Sequence, residues 1–239
     1  MSVPYTPKPG EDINAIVIYY INAEGQPETV TNCVYDPETG TVRFTTNHFS
    51  KYAVGYNKVN FKDVPESAWY NKAVSFIAAR GITSGTGNGN YSPEAKLTRA
   101  QFIVMLMKAY GLDPDMDARD NFADAGNTYY TGYLATAKRL GITSGIGNNM
   151  FGPDLEITRQ EMFTMLYNAL RIIGRLPKVN GGQSLSSFSD AGDIATWAKE
   201  AMTYLVESGF ISGSNGRLFP NDTTTRAQMA QILYSIFAK

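Results

Sequence analysis

Short apolar stretches rich in Val, Ile, Tyr and Thr fill the first 57 residues of the chain. Four of them, at residues 15–21, 29–35, 41–46 and 51–56, have the length and composition of β-strands. Glu24-Gly25 and the polar run at residues 36–40 separate these stretches as turns. We therefore expect a β segment over residues 1–57, and we favour the end of a larger β domain over a small independent sheet.

Beyond residue 58 the apolar residues follow a helical spacing instead. Phe102, Met105, Leu106 and Ala109 recur at intervals of three and four, and similar stripes lie within residues 162–169 and 229–236. Each stripe covers one helix face, which an isolated pair of helices cannot bury. We therefore expect several helical units over residues 58–239 to pack around a shared centre.

Three copies of one pattern follow each other, at about residues 60–112, 121–174 and 187–239. Each copy opens with Phe-x-Asp and continues with an aromatic residue, a Gly-rich turn and a proline. Six residues after that proline an arginine begins the second helix of the copy. The first two copies are 60 residues apart at Gly81 and Gly141, and again at Arg99 and Arg159. This order predicts a repeat domain.

The second helix of every copy starts with Thr-Arg, and these pairs are Thr98-Arg99, Thr158-Arg159 and Thr225-Arg226. Thr with Gln or Glu three residues later forms a capping box, and we assign the threonines to that role. The arginine is different, because its charge opposes the positive end of the helix dipole. Free N–H groups, that dipole and a guanidinium together make an anion site. The alternative is that each arginine pairs with an acid such as Asp63, Asp124 or Asp190.

Composition and charge exclude several classes of function. Lys and Arg number 21 against 22 for Asp and Glu, so the chain lacks the basic surplus that nucleic-acid binding needs. His48 and Cys33 are single, which argues against a multi-His metal site, an internal disulfide and a Cys–His enzyme. The longest apolar run, residues 15–21, is too short to cross a membrane. We expect no enzyme activity, no metal, no cofactor and no membrane insertion.

The repeated motifs resemble those of the S-layer homology (SLH) domain family: Phe-x-Asp, Trp, Gly-Ile-x-x-Gly, and Thr-Arg-Ala-Glu opening a helix. The resemblance covers residues 60–239. It implies a non-catalytic, extracellular, cell-wall- or S-layer-associated anchor that binds pyruvylated secondary cell-wall polysaccharide, with ketals on N-acetylmannosamine. It also implies a mainly α fold: a monomer whose three repeats form a pseudo-threefold, three-pronged unit around a central helix bundle, with binding grooves between the prongs.

The same resemblance assigns five ligand-binding positions to each copy. In chain order they are Asp63, Trp69, Gly85, Thr98 and Arg99; Asp124, Tyr130, Gly145, Thr158 and Arg159; and Asp190, Trp197, Gly213, Thr225 and Arg226. The arginine would grip the ketal carboxylate, the aromatic ring would lie on the sugar, and the glycine would admit the backbone close to it.

For some of these residues a structural role competes with ligand binding. We favour core packing for Trp69 and Trp197, and we expect the three aspartates to cap the first helix or its preceding turn. Gln101 and Gln228 replace the family's Glu, which Glu161 keeps, so the number of competent grooves stays open. The alternative function is a protein-interaction or S-layer self-assembly module that uses exposed strand edges.

Overall fold

The structure is a computed structural model that describes residues 1–46, 48–117 and 119–237. The chain forms two compact units. The first comprises residues 1–95, 107–112 and the described part of 225–239, and the second comprises residues 96–106 and the described part of 113–224.

Six strands form two antiparallel three-stranded sheets in the first unit. The strands are β1 (Ser2–Pro4), β2 (Ile16–Ile21), β3 (Pro27–Val30), β4 (Val34–Asp36), β5 (Thr41–Arg43) and β6 (Lys51–Tyr56). Their orders are β1-β5-β4 and β3-β2-β6, and Ile18 of β2 is the register partner of both Val30 and Val54. Ile16, Ile18 and Phe44 are buried in the core of this segment. The predicted strands at residues 15–21, 41–46 and 51–56 correspond to β2, β5 and β6, and the stretch at residues 29–35 divides between β3 and β4. The sequence analysis did not predict β1.

The first helix, α1 (Asn71–Ala79), belongs to the same unit as the strands and packs on α6 (Arg226–Phe237). Arg80 follows its last residue and is only 1% exposed. Its Nε donates to the carbonyl of Cys33 at 2.8 Å, and its Nη atoms donate to Asn14 at 2.8 Å and Ile16 at 3.1 Å. Burial lowers the pKa of Arg80 to about 10, so the group stays charged at neutral pH. One guanidinium thus joins the helix to the β core.

The second unit contains α3 (Thr131–Leu140), α4 (Arg159–Ile172), α5 (Lys199–Glu207) and the first eight residues of α2 (Arg99–Ala109). Helix α4 packs on α5, and three short 3-10 turns, Leu185–Ser187, Ala191–Asp193 and Thr196–Ala198, precede α5. Gly141 ends α3 with a φ of 74°, as the glycine pattern predicts. Because the chain has two β sheets as well as helices, the fold is mixed. The mainly α expectation was too narrow, because the β segment builds a core of its own.

Equivalent residues of the three repeats meet at one point in the second unit. Leu97, Ile157 and Thr224 each precede the threonine that starts a second helix, and all three are fully buried. The N–H of Leu97 donates to Thr224 at 2.9 Å, that of Ile157 to Leu97 at 3.0 Å, and that of Thr224 to Ile157 at 3.4 Å. The helix starts are therefore linked by a closed cycle of backbone hydrogen bonds.

The aspartate that opens each repeat holds the turn that comes before the repeat's second helix. Asp63 accepts the N–H groups of Tyr91 and Ser92, both at 2.7 Å. Asp124 and Asp190 make the same pair of bonds, to Phe151 and Gly152 and to Leu218 and Phe219. The expectation that these aspartates cap the first helix or its preceding turn was wrong. Tyr70 and Tyr130 occupy the N-cap positions of α1 and α3 without a side-chain cap bond, and the carboxylates bind the later turn instead.

Replacing Asp63 by Asn tests this bond pair. An amide oxygen can take one of the two N–H donors and leaves the other unpaired, so we expect a loss of about 1–3 kcal/mol at pH 7. Burial opposes ionisation of Asp63, but the N–H donors of Tyr91 and Ser92 outweigh it and lower the carboxyl pKa. The wild-type stabilisation is therefore present above about pH 4 and is lost as the pH falls through the folded-state pKa.

Urea unfolding of the wild type and D63N at pH 7 and at about pH 2.5 measures this effect, with exposed Asp154→Asn as the control. The D63N deficit should shrink at the lower pH, and D154N should match the wild type at both. A deficit of equal size at the two pH values would contradict a role for the ionised carboxylate.

Thr224 gives a second prediction, in which a substitution increases the stability of the fold. Its hydroxyl is buried, and no hydrogen-bond partner for it lies among the described residues. Leu97 and Ile157, the equivalent residues, are apolar. Because valine removes the hydroxyl at nearly constant shape, T224V should raise the free energy of unfolding by about 1–2 kcal/mol in urea melts. Thr225→Val is the control, since it removes a helix cap and should cost about 1 kcal/mol. A loss of stability in T224V would show that the hydroxyl is satisfied.

Candidate functional site

The arginine at the start of each second helix makes one contact that all three copies share. Its Nε donates to a backbone carbonyl in the turn of another repeat: Arg99 to Phe151 at 2.8 Å, Arg159 to Leu218 at 2.9 Å, and Arg226 to Tyr91 at 2.8 Å. The guanidinium carbons of Arg99 and Arg226 lie 4.7 Å from the ring centroids of the same Phe151 and Tyr91. Each arginine therefore joins two repeats.

The opening aspartate and the arginine bind the same peptide group from its two ends. In the peptide between Phe151 and Gly152, the carbonyl accepts Arg99 and the N–H donates to Asp124 at 2.7 Å. Arg226 and Asp63 do this across the peptide between Tyr91 and Ser92, and Arg159 and Asp190 across the one between Leu218 and Phe219. The peptide dipole points its negative end at the cation and its positive end at the anion, which stabilises both charges.

The N–H groups at the helix starts are also engaged, which corrects the expectation of free donors there. In α2 the N–H groups of Arg99 and Ala100 donate to the carbonyls of Leu155 and Pro153. The corresponding donors of α4 bind Asp222 and Pro220, and those of α6 bind Ala95 and Pro93. The N–H of the third helical residue donates to the threonine hydroxyl. Thr158 and Glu161 form a full capping box, and Thr98–Gln101 and Thr225–Gln228 show the same reciprocal bonds.

The three arginines differ in exposure and in ionic partners. Arg99 is 2% exposed and forms a short ion pair with Glu161, whose side chain is 22% exposed. Arg226 is buried as well, whereas Arg159 is half-buried and lies 5.3 Å from the ring of Phe163. Burial lowers the pKa of Arg99 and Arg159, and nearby acids, Glu161 for Arg99 and Asp222 for Arg159, oppose that effect. The acid-pairing alternative thus describes Arg99, although its partner is Glu161 and not an opening aspartate.

The aromatic residues before the first helices lie at the surface. Trp69 and Trp197 are 61% and 57% exposed, and Tyr130 is partly exposed beside the exposed Tyr129. The core-packing role that the sequence favoured for the tryptophans was wrong. Both residues precede the first helical turn, because α1 begins at Asn71 and α5 at Lys199, so they leave the buried helix face. Their rings are available to a ligand.

The glycine of each Gly-rich turn is required by the turn itself. Gly145 has a φ of +78°, and a Cβ there would collide with the carbonyl of Met150 and the ring of Phe122. Gly85 and Gly213 have the same surroundings, with Phe61 and Phe188 as the rings. The missing side chain thus makes room for the phenylalanine that opens the repeat.

An open cleft of about 600 Å³ lies within the second unit. Its polar lining residues are Arg99, Thr143, Ser144, Glu161, Thr164 and Asn168. Its other lining residues are Ile142, Gly145, Ile146, Met165 and Trp197. Of the predicted site residues it brings together Arg99, Gly145 and Trp197, one from each repeat. The other twelve do not line this cleft.

The sequence interpretation did not assign the face of α4 to the site. Glu161, Thr164, Met165 and Asn168 are spaced by three, one and three residues, which places them on one side of the helix. Polar residues occupy three of these positions, Glu161, Thr164 and Asn168, beside the apolar stripe of the helix, and this polar row is the signal that sequence reasoning missed.

Metal and membrane features can be stated for the described residues. Within residues 1–46, 48–117 and 119–237, no group of three or more His, Cys, Asp or Glu side chains is placed to hold a metal ion. In the same part of the chain, no helix has the length and apolar character that crossing a membrane requires.

Comparison with known proteins identifies the repeats. The profile of the S-layer homology domain matches residues 60–103, 121–163 and 187–230. S-layer protein sap of Bacillus anthracis is 32% identical over 72% of this chain and 20% of its own length. Exoglucanase XynX of Acetivibrio thermocellus is 30% identical over 76% of this chain and 16% of its own length. An amylopullulanase of Thermoanaerobacterium thermosulfurigenes is 27% identical over 95% of this chain and 12% of its own length.

The chain spans one fifth or less of each of these relatives. The three profile matches together cover more than half of the chain, and they coincide with the three copies that the sequence predicts. They indicate association with the cell surface, its S-layer or the cell wall, and a cell-wall anchoring role. With its three tandem repeats, this chain belongs to the S-layer homology domain family.

Proposed function

We propose that this chain is a non-catalytic cell-wall anchor that binds a pyruvylated secondary cell-wall polysaccharide as a monomer. The observation that carries the proposal is the open cleft at Arg99, Gly145 and Trp197. Its volume of about 600 Å³ lies within the range of about 300–1,000 Å³ typical of small-molecule sites. The exposed indole of Trp197 suits the apolar face of a sugar, and the hydroxyl, amide and charged groups that also line the cleft suit its hydroxyl groups.

The wider arrangement is part of the same proposal. We place the wall-binding function in residues 58–239, with the β segment of residues 1–57 next to it, and one groove at each of the three arginines. The hydrogen-bond cycle of Leu97, Ile157 and Thr224 supports a pseudo-threefold relation of the repeats. The acidic ligand is supported by the family resemblance and by three fixed guanidinium charges, one at each second helix.

The non-catalytic assignment is supported by the variety of the relatives. Their printed names include an S-layer protein, an amylopullulanase and an exoglucanase, although each shares no more than one fifth of its length with this chain. A part common to proteins with such different names is better suited to attaching them to a surface than to performing their reactions.

One observation favours self-assembly as a second candidate. Ile146, Met150 and Leu155 of the second repeat are all exposed, and the side chains of Ile146 and Leu155 approach each other beside Gly152. Light scattering over a range of concentrations separates the two candidates. A protein that stays monomeric and still binds sacculi supports anchoring, whereas growth of assemblies without wall binding supports self-assembly.

Trp197→Ala tests the cleft. Loss of the aromatic surface should weaken binding to purified sacculi by roughly threefold to tenfold, which corresponds to about 0.5–1.5 kcal/mol of ring contact. Co-sedimentation measures the effect. Phe49→Ala is the control, because Phe49 is fully exposed in the β segment and lies outside the cleft. If W197A and F49A both bind like the wild type, the cleft is not a sugar site.

Removal of the pyruvate ketals tests the proposed ligand. Sacculi treated with mild acid, which cleaves ketals, should retain much less of the chain than untreated sacculi. Binding to untreated sacculi should also weaken as the salt concentration rises, because salt screens the contacts between charged groups that the ketals provide. Equal retention on treated and untreated sacculi would contradict an acidic ligand.

A further inference from the structure

A small open pocket lies on the β segment of the first unit, away from the repeat residues assigned above. Its volume is about 190 Å³. Drug-sized ligands occupy about 300–1,000 Å³, so this pocket suits a single sugar ring. We call it the Tyr20 pocket, and its lining residues include Tyr20, Glu28, Thr45, Thr46, His48 and Tyr52.

The register of the sheet β3-β2-β6 places a carboxylate and two phenol rings in one row. Tyr20 of β2 is the register partner of Glu28 on β3 and of Tyr52 on β6. Register partners point to the same face of a sheet, with Cβ atoms about 4.5–5.5 Å apart. Ile18, two residues earlier in β2, points to this face as well and is fully buried, whereas Tyr20 is half-buried. The face that forms the core at Ile18 therefore opens to solvent at Tyr20.

His48 extends this row into an aromatic wall. Its ring centroid lies 5.0 Å from that of Tyr20, in an edge-to-face arrangement, and 6.0 Å from that of Tyr52. The hydroxyl of Tyr52 is hydrogen-bonded to the hydroxyl of Thr46 at 2.6 Å, which fixes the ring of Tyr52 in the wall. Tyr20 and Tyr52 are half-buried and His48 is exposed, so the three rings offer a ligand one connected aromatic surface.

Glu28 supplies the charged group of the pocket. It is exposed, and its Oε1 accepts the side-chain N–H of Asn22 at 2.8 Å. A carboxylate has about four acceptor positions, so this bond leaves room for hydroxyl donors of a ligand. The described residues that line the pocket include no Lys or Arg. An anionic ligand would therefore face a carboxylate with no fixed cation beside it.

We propose that the Tyr20 pocket is a second saccharide site, which takes one neutral, hydroxyl-rich sugar unit. The C–H face of the sugar packs on Tyr20 and His48, and its hydroxyl groups donate to Glu28. This site goes beyond the function proposed for residues 58–239 and leaves the acidic units with the arginine grooves. A polymer that engages both kinds of site is retained more firmly, because the second contact forms at a high effective concentration.

His48 supplies the reporter for this pocket, because it is the single histidine of the chain. Its imidazole C–H signal is followed by NMR of the full chain at constant pH. The probes are the methyl glycoside of N-acetylmannosamine, the same glycoside with a pyruvate ketal, and tetramethylammonium chloride. The last probe is included because aromatic rings beside a carboxylate also suit a cation. Each probe is titrated into the wild type, E28Q and E24Q. Glu24 is the matched control, since it is an exposed acid of the same segment outside the pocket.

In the wild type the neutral glycoside should shift the His48 signal, and the other two probes should need at least about tenfold higher concentrations for the same shift. E28Q should weaken the response to the neutral glycoside by roughly threefold to tenfold, because a charge-assisted hydrogen bond becomes a neutral one. E24Q should respond like the wild type. Tyr20→Leu removes one ring of the wall and should abolish the shift, with the indole N–H signals of Trp69 and Trp197 unchanged as evidence of folding. If Y20L loses these indole signals, E28Q decides.

A neutral glycoside that leaves the His48 signal unmoved in the wild type overturns the proposal. An equal response to the ketal form or to tetramethylammonium overturns it as well, and so does an unchanged response in E28Q. The anchoring proposal fails separately. If the chain does not sediment with sacculi while the neutral glycoside shifts His48, anchoring is wrong and the Tyr20 pocket stands. If the chain sediments while His48 does not respond, the pocket proposal is wrong and anchoring stands.

Discussion

The contact between an arginine and a turn carbonyl, made once by each repeat, sets the relation between neighbouring repeats. A cation at the first position of a helix is disfavoured by roughly 0.3–1 kcal/mol through the dipole. Here the dipole's N–H groups already donate to carbonyls of the same turn, and the guanidinium binds a third carbonyl there. The opening aspartate holds the other end of that peptide group. The two opposite charges therefore bind the two ends of one peptide dipole.

This arrangement explains why residues that are far apart in the sequence recur together. Phe-x-Asp and Thr-Arg are separated by more than thirty residues in each copy, and the aspartate of one copy shares a peptide group with the arginine of another copy. Sequence reasoning identified both motifs and the capping boxes, because these depend on local spacing. It did not find the acceptor of the arginine, since a backbone carbonyl has no signature in the sequence and lies 52 residues from Arg99 and 135 from Arg226.

The candidate site shows the same limit of local patterns. Trp69 and Trp197 continue the apolar spacing of the following helices, which suggested a buried position. The helices begin two residues later than that stripe, so the rings lie at the surface. The cleft combines residues from three repeats. The polar positions of α4 become part of a site only because the turn at Gly145 and the indole of Trp197 line the same cleft. The spacing of residues within one helix cannot predict which residues of other repeats will line the same cleft.

The guanidinium of Arg80 bears on where this protein can be divided. The motif pattern suggests a cut at residue 58, but the acceptors of Arg80 include Asn14, Ile16 and Cys33, which lie before that cut. Residues 1–57 also share a compact unit with α1 and α6. A recombinant fragment trimmed to the repeats alone would lose these acceptors of Arg80 and uncover the apolar surface of Ala79 beside it. The first family motif begins at residue 60, whereas the compact unit to which it belongs begins at residue 1. A boundary drawn from the motif therefore divides a compact unit.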